Sequence, residues 1–218
     1  MDSDNPVVRL CGEGMRAESE GRSSDAHALF REAWYAATDD YEACIAAHYL
    51  ARHQHTPEDT LRWNRECLDR ADRVGDERVR GFYPSLHVAM ATAHQELGEP
   101  DKAHEHYRQA AQRIEDAPPG PYRDGIRFAT AAGLRATGDA TPPGADTLAD
   151  LLTKLCASTN LTALAVLLPP YLGDLGTDAD RTALLTALHM VHTTRTLPDD
   201  ELALVRKAIS EVTAAAHP

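Results

Sequence analysis

No stretch of this 218-residue chain approaches the roughly 20 consecutive apolar residues that a membrane-spanning helix needs, so no membrane partner is expected. The N-terminus, Met1-Asp2-Ser3-Asp4-Asn5-Pro6, lacks the positive charge and apolar run of a secretory signal, which points to the cytoplasm. Cysteine is sparse: Cys11, Cys44, Cys67 and Cys156 stand far apart with no C-x-x-C pair, which excludes a disulfide framework and a zinc-finger spacing and leaves free thiols as the expectation. Lysine is nearly absent, at Lys102, Lys154 and Lys207 only, and this bias toward arginine, with abundant alanine, points to a GC-rich bacterial gene.

Positive charge is also in deficit. The net charge is −12, with 24 acidic against 17 basic residues in 1–137 and 10 against 5 in 138–218. Nucleic-acid affinity comes mainly from clustered Lys and Arg that neutralise phosphates, and neither half supplies them, so nucleic acid is not an expected partner. Missing too are G-x-S-x-G, a Walker loop, G-x-G-x-x-G, H-E-x-x-H and an EF-hand pattern; no catalytic residue, metal ligand or cofactor is assigned.

Period-2 alternation is lacking as well, whereas Ala, Leu, Arg and Glu fill long stretches with apolar positions three and four apart. The chain therefore reads as all-α. Helix starts are marked where Pro meets acidic residues: Asn5-Pro6, Thr56-Pro57-Glu58-Asp59, Glu99-Pro100-Asp101 and Leu197-Pro198-Asp199-Asp200. Asp39-x-x-Glu42 has the form of a capping box, and Gly75, Gly98 and Gly138 stand where helices should stop. These signals predict helices over 6–19, 24–37, 40–54, 57–74, 77–97, 100–116, 122–137, 146–159, 161–172, 179–195 and 198–215. Thr137–Gly144 is rich in turn formers and marks a boundary or insertion, and Leu168-Pro169-Pro170-Tyr171 breaks or ends a helix.

Two segments repeat one another. Gly21-x4-Ala26-x3-Phe30-x2-Ala33 and Gly98-x4-Ala103-x3-Tyr107-x2-Ala110 share their spacing, and a small residue, Gly14 or Ala91, precedes each at the same offset. The Gly turns the chain between two helices, the small residues let the backbones approach, and the aromatic fills the gap behind them. Between them lies a degenerate copy with His55 at the turn, then Thr60, Asn64 and Cys67; a weaker fourth begins at Tyr122 with Gly138 at its turn.

This pattern resembles the tetratricopeptide repeat. The resemblance covers residues 6–137 and implies a right-handed superhelix of antiparallel helical hairpins, a TPR-like solenoid, with residues 145–218 either continuing it or forming a C-terminal helical capping bundle. It further implies a concave groove, lined by the first helix of each hairpin, that takes a peptide from another protein. The groove positions carried over include Met15, Tyr49, Arg52, His53, Thr92, Gln95, Phe128 and Arg135, apolar anchors flanked by two arginines suited to a carboxylate or phosphate. Cys11 also falls on that side, whereas Cys44, Cys67, His87 and His94 fall where helices pack. The implied function is a protein- or peptide-binding adaptor; a peptide or small-molecule sensor without a DNA-binding domain, and an enzyme or metal protein using the eleven histidines, are the alternatives.

Overall fold

The computed structural model describes residues 5–138, 142–194 and 197–214, and among them all regular structure is helical. Met1–Asp4, residues 139–141 of the turn-rich stretch, and the predicted helix ends at 195 and 215 lie outside the described residues. The helices are α1 (Pro6–Ser19), α2 (Ser23–Ala36), α3 (Asp40–Ala51), α4 (Pro57–Val74), α5 (Glu77–Arg80), α6 (Tyr83–Glu96), α7 (Pro100–Gln112), α8 (Pro121–Thr137), α9 (Ala145–Ala157), α10 (Leu161–Leu172), α11 (Asp178–Thr194) and α12 (Asp199–Ala214). None is long and apolar enough to cross a membrane.

Local chemistry sets most of these ends. The Asn5 carboxamide accepts from the backbone N–H of Val7 and Val8, Asp39 from that of Glu42, and Thr56 from that of Asp59, so each satisfies donors that the first helical turn leaves free. The capping box is only half as expected: the Glu42 carboxylate reaches the Thr38 N–H at 2.7 Å, one residue before the cap. That bond, first among several, holds Glu42 below the usual carboxylate range.

Two expectations are corrected. The helix predicted over 77–97 is two helices, because Pro84 has no N–H to give and its ring would clash with the Arg80 carbonyl in a continuous helix; the chain restarts at Tyr83 instead. The segment expected over 100–116 ends at Gln112 and tightens into a single 3-10 turn over Ile114–Asp116. Pro169 and Pro170 sit within the last turn of α10, which ends at Leu172 with the Gly173 N–H on the Pro169 carbonyl.

The chain divides into two compact units, Met1–Ala129 and Thr130–Pro218, and the division falls inside α8. In the first, α1 packs on α2, α3 on α4 and α6 on α7, giving three helical hairpins; α3 also touches α1 and α2, and α6 touches α4. The turns of the first and third hairpins are the same, with Gly21 at φ 77° and Gly98 at φ 71°, a left-handed conformation that glycine adopts without strain. Phe30 is fully buried, and its ring lies against Gly14, where a Cβ would stand 2.3 Å from Cε1. Ala26, Ala33, Ala103 and Ala110 are likewise wholly buried, the small residues that close helix crossings require.

In the second unit α9 packs on α10, α10 on α11, α11 on α12, and α12 returns to α9. Leu148, Leu151, Leu155, Leu167, Leu188 and Val205 fill the space between these four helices. At the α9–α10 turn the Asn160 N–H bonds to the Leu155 carbonyl, as Arg22 does to Ala17 and Glu99 to His94, but the left-handed residue is Thr159, at φ 53°.

Candidate functional site

The first unit holds a cleft of about 680 Å³ between α3, the start of α4, α6 and the start of α8. One wall is the stripe Ser85, Ala89, Thr92, Ala93 and Glu96 of α6, positions that share a helix face. Opposite stand His48, Ala51 and Arg52 at the end of α3, the connection Gln54–Pro57, and Thr60 and Asn64 of α4, with Tyr122 at one edge.

This cleft sits where the internal repeat loses its pattern. Phe30 and Tyr107 stand nine residues after the turn glycines Gly21 and Gly98; at the same offset from His55 stands Asn64. Gly14 and Ala91 stand seven residues before those glycines; His48 holds that place in the second hairpin. Large and small are thus exchanged: at the position where Phe30 fills the first hairpin, the second carries Asn64, while Trp63 beside it packs against the cluster of Cys44, Ala47 and Cys67. Asn64 is 2% exposed and its Nδ2 donates to the Thr60 carbonyl at 2.8 Å. The cleft opens onto α6, whose Ala89 and Ala93 are small.

His48 packs edge-on against Phe82 and Tyr49, with ring centroids at 5.1 and 5.5 Å. Its Nδ1 is buried and, among the described residues, has no hydrogen-bond partner. Burial first, and the neighbouring Arg52 second, push its pKa down to about 4, so the imidazole is neutral at pH 7 and presents one donor and one acceptor.

The groove residues expected from the sequence are distributed as follows. Arg52 and Thr92 line the cleft, and the Thr92 hydroxyl donates to the Val88 carbonyl at 3.1 Å. Arg52 donates from Nη2 to Glu18 Oε1 at 2.6 Å, its guanidinium 5.7 Å from the Tyr49 ring. Tyr49 is half-buried and stacked on Phe30, with centroids 5.0 Å apart and ring planes within 12°. His53 faces a second cavity of about 390 Å³, shared with Ser23, Ser24, His27 and Arg52, and burial lowers its pKa. Met15 is exposed. Gln95 accepts from the Tyr107 hydroxyl at 2.6 Å, Phe128 is half-buried, and neither lines the cleft. Arg135 lies in the second unit, where Nη1 donates to the Asp174 carbonyl at 3.4 Å.

Comparison with protein-family models, curated proteins and solved structures finds no match to this chain.

The cysteines and histidines are placed chiefly by packing. Cys11, expected on the groove side, is 3% exposed, because α3 brings Ile45 and Tyr49 over that face of α1; burial pushes its thiol up to about 12. Cys44 and Cys67 are buried with their sulfurs 3.6 Å apart, and Cys156 is exposed. His106 of α7 stands between His87 and His94 of α6, stacked on each at 5.4 Å, with its Nδ1 3.2 Å from that of His87. His94 bonds to Glu99 at 2.6 Å. Among the described residues no group of three or more His, Cys, Asp or Glu is arranged to hold a metal ion.

His48, Thr60, Asn64, Ala89, Ala93 and Tyr122 were not among the site residues expected from the sequence. The signal that points to most of them is the degeneracy of the second hairpin. An aromatic replaced by Asn, a small residue replaced by His48, and a facing helix carrying Ser85, Ala89 and Ala93 mark where the packing pattern changes.

Proposed function

We propose that the chain is a peptide-binding scaffold, a TPR-like right-handed superhelix of helical hairpins whose cleft receives a segment of another protein. The observation that carries this reading is the 680 Å³ opening at the second hairpin, whose packing residues depart from those of the first and third. The small residues Ala89 and Ala93 of α6 line the opening from the opposite wall. The walls combine apolar patches at Ala51, Pro57, Ala89 and Ala93 with hydroxyls, two amides and a neutral imidazole, a mixture that suits a peptide with its alternating amides and side chains.

Ala89→Trp tests it by filling the cleft from a half-buried position. A displayed library of random peptides, panned against the immobilised chain, should yield binders that the variant no longer retains. No enrichment, or equal retention by the variant, sinks the reading. A second reading, a small-molecule sensor, is favoured by the volume itself, which falls within the ~300–1,000 Å³ of ordinary ligand pockets. A compound library that raises the melting temperature of the wild type and not of Ala89→Trp, with no peptide enriched, would select it.

A further inference from the structure

The two arginines expected to meet an anionic ligand are both engaged within the chain. Arg52 is paired with Glu18 at 2.6 Å, and Arg135 belongs to the second unit. Of the two full charges lining the cleft, Arg52 and Glu96, the arginine is therefore compensated. Glu96 is exposed at the end of the α6 stripe and has no hydrogen bond or ion pair among the described residues. The cleft therefore carries a net negative charge in a chain that is itself at −12.

Two further features bear on the sign of the ligand. Tyr122, 50% exposed, contributes an aromatic ring to the cleft edge, and the electron-rich face of such a ring attracts ammonium and guanidinium groups. Ala51, Ala89 and Ala93 supply an apolar floor on which the methylene stem of a long basic side chain can lie while its head stays hydrated. Neutral His48 adds no competing cation.

We propose that the cleft selects a basic peptide segment: a Lys or Arg side chain lies along Ala89 and Ala93 and sets its cation against the Glu96 carboxylate and the Tyr122 ring. This rests on the reading of the cleft as a peptide site and adds the sign of the charge it recognises. The negative field of the whole chain would steer such a segment toward it.

The experiment uses three labelled peptides of equal length on an alanine-rich backbone, carrying Lys, Gln or Glu at the same positions, titrated by fluorescence anisotropy against the full chain. The Lys peptide should bind best and the Glu peptide worst, and Ala89→Trp should abolish the binding. Glu96→Gln should weaken the Lys peptide about three- to fivefold, as expected for a solvent-exposed ion pair, and Glu96→Lys should reverse the order of the Lys and Glu peptides. Equal affinity for the Lys and Gln peptides, with Ala89→Trp still blocking both, overturns the charge preference while leaving the peptide site standing. Lys-peptide binding that survives Ala89→Trp is attraction to the acidic surface at large and overturns the proposal. Failure of all three peptides while panned sequences bind also overturns it. Lysine amide binding as tightly as the Lys peptide assigns the cleft to a small amine and overturns the peptide.

Discussion

Acid should loosen the third hairpin at one identifiable side chain. His87 is 6% exposed and is held between α6 and α7; burial first, then the neighbouring His106 and Arg113, push its pKa from 6.5 down to about 4, with Asp72 and Glu105 acting weakly the other way. A base whose pKa is depressed on folding takes up its proton more readily in the unfolded chain. Its contribution is thus fully present above about pH 6.5 and is lost as the pH falls toward about 4. At about 1.4 kcal/mol per pH unit over that window, His87 alone removes about 2 kcal/mol of stability between pH 7 and pH 5, and about 3 by pH 4. The 3.2 Å approach of the two Nδ1 atoms gives the structural reason: one must donate and one accept, and a second proton there leaves two donors facing each other. Guanidinium denaturation followed by circular dichroism, repeated at pH 7, 6, 5 and 4, measures the slope. His87→Gln keeps a hydrogen-bonding group and removes the titration, so the variant should lose less stability than the wild type over that range by about the amounts given. Parallel pH profiles in the two proteins would refute the argument.

Gly14→Ala should destabilise the first hairpin by about 1–3 kcal/mol, because the new methyl would stand 2.3 Å from the Phe30 ring in a closed crossing; a thermal melt at unchanged midpoint would contradict that packing. Thr159→Gly should act in the opposite direction, raising stability by about 0.5–1 kcal/mol by relieving a β-branched residue held at φ 53°, and a loss of stability would show that the turn is not strained.

The helix boundaries were largely legible because their causes are local. Asn5, Asp39 and Thr56 bond to backbone donors two or three residues on, and Gly21 and Gly98 supply the turns they were expected to supply. Pro84 was equally visible, and its consequence for a helix drawn through it follows from the same rule. The candidate site was less legible. The groove positions carried over from the family resemblance placed Arg52 and Thr92 on the cleft, but they put Tyr49 in the open, where the structure stacks it on Phe30. That stacking depends on how α3 crosses α1 and α2, and no spacing within α3 encodes it.

By itself the sequence determined an all-helical chain, where its helices start and stop, and which hairpin breaks the repeat, since caps, prolines and turn glycines act over a few residues. Only the tertiary structure decided that the break becomes a cleft, that Glu18 engages Arg52 from 34 residues away, and that, among the described residues, Glu96 is left as the uncompensated charge on its wall. A cavity is what several segments together fail to fill, and a charge is free only when no other segment reaches it, so both are properties of the packed chain.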